Sequence, residues 1–350
     1  MTVKDFDSFL QELPKCEHHV HLEGTLSPEL LIELSKRNRI TLPEDHPSTP
    51  GLLHQRYANF ADLQDFLDHY YVGMSVLVHK ADFEDLAWNY FVQAKQDGVH
   101  HAEVFFDPQA HIDRGIDLAD VVMGITYARH RAEKELGITT KLIMCFLRHL
   151  PVEAALDVLH LAKPHIYDGH ISGMGLDSSE LGRPPSMFEE VYETARNLGV
   201  NLNFTAHAGE EGDHTYVDEA LHHLKVDRID HGVRSVDSDA TLRTLAASNK
   251  LLTVCPMSNL KLRVFDSISQ VPLRKLLDAG VPFSINSDDP AYFGGYCLDN
   301  YRAVHEHFGF DVPTWCKIAE NGIMGSWTTD ERKMELLDKL QHVRLKYMHL

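Results

Sequence analysis

The chain alternates short apolar segments with amphipathic stretches from about residue 98 to residue 290, and this alternation limits the folds open to it. Short apolar runs that end in polar or small residues are typical of buried strands, whereas the stretches between them have helical spacing. Strands that alternate with helices form parallel sheets. With one earlier segment, the strand candidates are residues 16–24, 100–108, 139–150, 171–180, 201–210, 226–233, 251–259 and 281–290.

Eight such strands predict an α/β fold, a (β/α)₈ TIM barrel. Helix signals support the spacing, since the stretch 184–199 starts with two prolines and ends at a glycine. An open doubly wound sheet is the alternative, but no GxGxxG follows an early strand. Residues 27–97 are expected to form a helical insertion over one end of the barrel, and residues 299–350 to form further helices outside it. Because no stretch has the composition of a linker, we expect a single domain over residues 1–350.

The charge of the chain limits its possible partners, and its cysteine content indicates the compartment in which it works. The net charge of −19, from 33 basic and 52 acidic residues, disfavours nucleic acid and anionic membranes and suits a small, nearly neutral substrate. The five cysteines form no CxxC pair, which indicates buried thiols in a reducing compartment. The acidic N-terminal segment has neither the pattern of a signal peptide nor that of a membrane span. We therefore expect a cytoplasmic protein, with the nucleus left open, and the sequence gives no oligomeric state.

Histidine and acidic residues cluster at the predicted carboxyl ends of the strands, where barrel enzymes place their active sites. Taken singly, each has an ordinary explanation; Asp289 before Pro290, for example, fits a helix N-cap. The ends of four strands together predict a metal site, and imidazole and carboxylate ligands with an open position for water suit catalytic zinc. The residues concerned are His19, His21, His207, Glu210, His231, Asp288 and Asp289.

Two other zinc motifs are incomplete in this chain. The sequence "HAE" at residues 101–103 matches half of the cytidine deaminase signature, but the required PCxxC is absent. Likewise, "HEH" at residues 305–307 is not the HExxH of metalloproteases. Neither class explains the chain.

Five segments in order resemble the adenosine/adenine deaminase family of the amidohydrolase type: "HVHLEGTL", "GLDSSE", "FTAHAGE", "RIDHG" and "NSDDP". The resemblance implies a barrel of the metal-dependent hydrolase type that holds one zinc ion per chain. It implies zinc ligation by His19, His21, His207 and Asp288. It further implies Glu210 as the proton donor, His231 as the residue that orients or deprotonates the attacking water, and Asp289 as a substrate contact. His18 departs from the family pattern and is expected to face away from the metal.

Within the family, the chain is more similar to the fungal type that acts on free adenine. Glu23, "LDSSE" and "DDPAYFGGY" carry this similarity. It implies a hydrolase that converts adenine to hypoxanthine and ammonia in purine salvage. Glu23 and residues 178–180 are expected to close the space that a ribose would occupy, with Ser179 or Glu180 bonding the N3 or N9 edge. Deamination of adenosine or of an N6-substituted adenine, and a non-catalytic purine-binding protein stabilised by zinc, remain alternatives.

Overall fold

The computed structural model describes residues 3–61 and 63–349. Within these residues, eight strands form one parallel sheet in the order in which they occur along the chain. The strands are β1 (Lys15–Glu17), β2 (Val99–Phe106), β3 (Thr139–Leu147), β4 (Gly173–Asp177), β5 (Asn203–Ala208), β6 (Arg228–His231), β7 (Leu251–Val254) and β8 (Phe283–Ile285). Each lies inside or overlaps one predicted segment, so the predicted TIM barrel is confirmed.

The barrel closes through the residues that follow β1 and β8. The backbone N–H of Asp288 donates to the carbonyl of His19 at 2.9 Å, and the N–H of His21 donates to the carbonyl of Asp288 at 3.0 Å. On the other side of the same segment, Phe105 donates to the carbonyl of Val20 at 2.9 Å. Val20 and His21 pair with Asp288 and Phe105 only through single bridges. For this reason β1 ends earlier than predicted, and its histidines lie just beyond the strand.

Helices surround the sheet and also fill the interval between β1 and β2. The prediction of a helical insertion there, and of helices after β8, is confirmed. The helices are α1 (Val3–Glu12), α2 (Pro28–Asn38), α3 (Pro50–Tyr57), α4 (Leu63–Met74), α5 (Lys80–Gln96), α6 (Pro108–Ile112), α7 (Leu118–Leu136), α8 (Val152–Tyr167), α9 (Glu189–Arg196), α10 (His214–Glu219), α11 (Asp239–Ser248), α12 (Pro256–Lys261), α13 (Leu273–Asp278), α14 (Pro290–Phe293), α15 (Cys297–Phe308), α16 (Val312–Gly325) and α17 (Asp330–Tyr347). None of these described helices has the length and apolarity needed to cross a bilayer.

The barrel interior is polar beneath the site and closed at its lower end. Arg228 of β6 and Glu103 of β2 are both buried and form an ion pair of 2.5 Å, Nη1 to Oε2. The ring of Trp327 stacks on the guanidinium, 3.9 Å from the ring centroid to Cζ. A buried charge requires a partner of this kind, because an unpaired one would cost several kcal/mol. This ion pair lies in the barrel below the residues at the carboxyl ends of the strands.

Candidate active site

The segment after β1 brings two histidines to one point. His19 and His21 lie on the same side of the extended backbone, as successive side chains of extended chain alternate. Their Nε2 atoms lie 3.3 Å and 3.5 Å from Oδ1 of Asp288. His18 points the opposite way and contacts the hydroxyls of Ser284 and Ser326 at 3.0 Å and 2.8 Å. The expectation that His18 faces away from the cluster agrees with these contacts.

Side chains from four strand ends meet around this point. Ligand atoms of His19, His207, His231 and Asp288 all lie within 4.8 Å of one another, and all four residues are buried. The fifth, His21, places its Nε2 3.2 Å from Nε2 of His207. Nε2 of His19 is buried and has no hydrogen-bond partner. Imidazole nitrogens and a carboxylate that converge in this way fit a zinc-like metal ion, which would satisfy the free nitrogen.

Asp230 supports the cluster from below. Its Oδ2 lies 3.5 Å from Nδ1 of His207, and its Oδ1 accepts a 3.0 Å hydrogen bond from the hydroxyl of Thr253. That hydroxyl in turn contacts Nδ1 of His19 at 2.8 Å. Carboxylates that hold the second nitrogen of a ligating histidine fix its orientation and tautomer. The sequence analysis did not single out Asp230, although it lies in a buried strand directly before His231.

Two residues of the site lie in strained backbone. His231 has φ of 60° and Asp288 has φ of 65°, in the left-handed region that residues other than glycine rarely adopt. Each stands where its strand ends, and the turn aims its side chain at the cluster. Such conformations cost of order 1–3 kcal/mol and recur at functional sites.

Glu210 lies next to the cluster and is held by two neighbours. Its Oε2 is 3.4 Å from Nε2 of His231, and its Oε1 accepts a 3.1 Å hydrogen bond from Nδ2 of Asn259. Burial, and then the nearby carboxylates of Asp288 and Glu180, raise the pKa of Glu210 well above its usual value. This shift favours the protonated carboxyl, the form that can act as a proton donor. Asn259, in α12, is a further residue that the sequence analysis missed.

Residues 178–180 were predicted to close the space that a ribose would occupy. Two of these three residues have a different function in the structure. Glu180 accepts hydrogen bonds from the backbone N–H of Gly212 at 2.5 Å and from that of Glu210 at 3.3 Å. Ser179 donates to Glu211 at 2.8 Å. Because both side chains fasten the loop that carries Glu210 and neither lines the cavity, the predicted contact of Ser179 or Glu180 with a purine is wrong. Ser178 does line the cavity.

Glu23 is also turned away from the cavity. It is 1% exposed, and its Oε1 accepts hydrogen bonds from Nε2 of His111 at 2.8 Å and from the backbone N–H of Asp107 at 3.1 Å. The adjacent Gly24 packs against Asp289: a Cβ there would lie 2.0 Å from Oδ1 of Asp289. The "HLEG" segment thus fixes the backbone at Asp107 and leaves room for Asp289.

A small cavity of about 60 Å³ opens above the cluster. Its roof comes from helix α4 of the insertion, which the sequence analysis did not connect with the site. Three further acidic residues, Asp107, Asp177 and Glu211, also line it and were missed. An aspartate followed by proline occurs after β2 (Asp107–Pro108) as it does after β8 (Asp289–Pro290). The same pattern that singled out Asp289 could therefore have singled out Asp107. The roof residues are Phe66, Leu67, Tyr70 and Tyr71.

A parallel eight-stranded barrel with a buried histidine and aspartate cluster at the carboxyl ends of its strands defines a metal-dependent hydrolase of the amidohydrolase type. The family model "Adenosine deaminase" matches residues 14–343, which is nearly the whole chain. The chain belongs to the adenosine deaminase family.

Relatives within the family are similar over almost their full length. The adenine deaminase of Candida albicans is 55% identical, with 97% of this chain and 96% of the relative covered. That of Saccharomyces cerevisiae is 52% identical, with 97% and 99% covered.

Among solved structures, the adenine deaminase from Arthrobacter aurescens has a TM-score of 0.89 at 43% identity and covers 94% of this chain and 98% of its own. An amidohydrolase from Burkhoderia ambifaria with bound Zn has a TM-score of 0.88 at 26% identity, with 100% and 96% covered.

Proposed function

We propose that this chain is a zinc-dependent adenine deaminase, which hydrolyses adenine to hypoxanthine and ammonia in purine salvage. The observation that carries the proposal is the position of Glu210, a carboxyl whose pKa its surroundings raise, 3.4 Å from His231 of a histidine and aspartate cluster that fits a metal. The similarity to adenine deaminases over nearly the whole chain supports adenine as the substrate.

One zinc ion per chain would be held by His19, His21, His207 and Asp288. Zinc, when bound, lowers the pKa of a water molecule and so supplies a strong nucleophile near neutral pH. Asp288 suits ligation: burial alone would raise the pKa of its carboxyl, but the imidazoles of His19 and His231 hold that pKa well below its usual value. Burial lowers the pKa of His207 well below its usual value, which keeps the imidazole neutral and able to ligate.

Two residues move protons. His231 accepts a proton from the attacking water as the oxygen bonds to C6 of the purine, and Glu210 gives its proton to N1. Burial lowers the pKa of His231 to about 3, so this imidazole is neutral and available as an acceptor. As the C6–N bond breaks, His231 gives its proton to the leaving amine, the C6 hydroxyl loses its proton to Glu210 and becomes the carbonyl, and ammonia departs. The overall change is the addition of one water and the loss of one ammonia.

In this proposal, Asp289 binds the purine at N7. Burial, and then the charge of Asp288, raise the pKa of Asp289 well above its usual value. A protonated carboxyl can donate a hydrogen bond to the N7 lone pair, which an ionised one cannot. Gly24 leaves the space that this side chain occupies.

A paired assay tests the proposal. Purified, zinc-loaded protein is incubated with adenine and with adenosine in parallel, and ammonia release is followed together with the shift of the purine ultraviolet spectrum. We expect ammonia from adenine and poor turnover of adenosine. Preference for adenosine would keep the mechanism but refute the free base as substrate, and tight purine binding without ammonia release would refute catalysis.

A further inference from the structure

The order of strands around the barrel fixes which side of the site each edge of a bound purine faces. In the proposed function, C6 lies at the metal cluster near β6, N1 faces Glu210 after β5, and N7 faces Asp289 after β8. The edge of a purine opposite C6 carries N3 and N9. In an eight-stranded barrel that edge faces the arc from β2 to β4, since the histidines after β1 belong to the metal cluster. N9 lies on the side of β2, because N9 and N7 belong to the same ring and N7 faces Asp289 after β8.

Few polar side chains of that arc reach the cavity. The cavity-lining polar residues from β2 to β4 are Asp107 after β2, Asp177 at the end of β4, and Ser178, while the phenol rings of Tyr70 and Tyr71 belong to the roof helix α4. The remaining lining residue of the arc, Leu147 of β3, is apolar, as is much of the roof from α4. The acceptor nearest the predicted position of N9 is therefore Asp107.

One carboxyl oxygen of Asp107 has no hydrogen-bond partner within residues 3–61 and 63–349. The residue is 3% exposed, and this oxygen, Oδ1, is buried. Its carboxyl contacts that of Asp177, and Glu23 holds its backbone N–H at 3.1 Å. A buried oxygen without a partner costs free energy, and a ligand N–H would remove that cost. A carboxyl keeps an oxygen that can accept a hydrogen bond whether or not it is protonated, so Asp107 offers an acceptor at the edge of the cavity.

We propose that Asp107 accepts a hydrogen bond from N9–H of the free purine and thereby selects bases over nucleosides; this rests on the proposed function. A free base carries a hydrogen on this edge, whereas a nucleoside carries carbon at N9 and leaves the buried oxygen without a partner. Sites built to bond a substrate N–H reject analogues that lack it far more strongly than apolar pockets do. Glu23 contributes only by holding the backbone at Asp107.

The test compares adenine with 9-methyladenine, which blocks N9 by a single methyl group. The readout is the ratio of kcat/KM for the two substrates, measured by ammonia release, with zinc content and melting temperature recorded for each protein. We expect D107A to lower kcat/KM for adenine by about tenfold to hundredfold, the cost of one hydrogen bond to a buried carboxyl. For 9-methyladenine we expect a much smaller change, so the ratio falls.

S178A is the matched control, because Ser178 lines the same rim on the N3 side and N3 is present in both substrates. It should leave the ratio unchanged. If D107A does not fold, D107S replaces it, since a serine hydroxyl keeps a polar group in the buried loop but is too short to reach the purine. A kcat/KM ratio equal to that of the wild type, whether both values fall equally or neither falls, would overturn the inference. Wild-type protein that releases no ammonia from adenine would instead overturn the proposed function, and the inference with it.

Discussion

Replacing Asp230 by asparagine should weaken metal binding while leaving the barrel folded. Asparagine has the same shape and retains one oxygen that can accept a hydrogen bond from Thr205 or Thr253. The carboxylate charge beside Nδ1 of His207, at 3.5 Å, would be lost. That nitrogen has no other hydrogen-bond partner, so its ring would lose the contact that fixes its orientation.

The magnitude follows from how many ligands depend on Asp230. Loss of a carboxylate that holds a ligating histidine costs about 10-fold to 100-fold in metal affinity, or about 1.4–2.7 kcal/mol. Asp230 contacts His207 directly and His19 through the hydroxyl of Thr253. Because two ligands depend on one carboxylate, we expect D230N near the upper end of this range. T253V, which removes the hydroxyl between Asp230 and His19 but leaves the Asp230 carboxylate beside His207, should lie near the lower end.

Competition for zinc with a chromogenic chelator measures the affinity directly. D227N is the matched control, since Asp227 is exposed and bonds only the backbone of Phe204 at 2.8 Å, away from the cluster. Turnover at saturating zinc separates loss of metal from loss of chemistry. A zinc affinity of D230N within twofold of the wild type would refute the reasoning.

Four further predictions follow from the site. E210Q and H231A should each lower turnover by about 10²-fold or more while the zinc content is unchanged, and near-normal steady-state rates would contradict the assigned roles. Chelation should abolish ammonia release and lower the melting temperature, and added zinc should restore both, since the ion binds only the native site. Because burial raises the pKa of Glu210, kcat/KM should fall as pH rises through that pKa and the donor loses its proton; a loss confined to acid pH would argue against this donor. G24A should displace Asp289 and raise KM for adenine, because the added Cβ would lie 2.0 Å from Oδ1.

The barrel could be predicted from the sequence because each strand is locally marked. A buried parallel strand is mostly apolar along its length, and most polar residues of the site lie where it ends. This is why His207, His231 and Asp288 were visible as candidates. The end of β1 could not be placed, since whether residues 18–21 pair as a strand depends on neighbours that are distant in sequence.

The contacts of the site could not be predicted from the sequence for the same reason. Glu180 looked like a substrate contact, but the amides that it binds belong to the loop after β5. Asp230 looked like an ordinary strand residue, and its importance depends on His207 and on Thr253 of the next strand. Local spacing shows which residues reach the rim of a barrel, whereas their partners are set by the packing of separate segments.

The metal cluster is assembled from both extremes of the barrel. His19 follows the first strand and Asp288 follows the last, and the backbone bond that joins them, 2.9 Å from N–H to carbonyl, is also the bond that closes the ring. A growing chain therefore cannot offer the complete ligand set until its final strand has docked. Zinc taken up by the newly made protein would link the first and last strands, and acquisition of the ion would report that the barrel has closed.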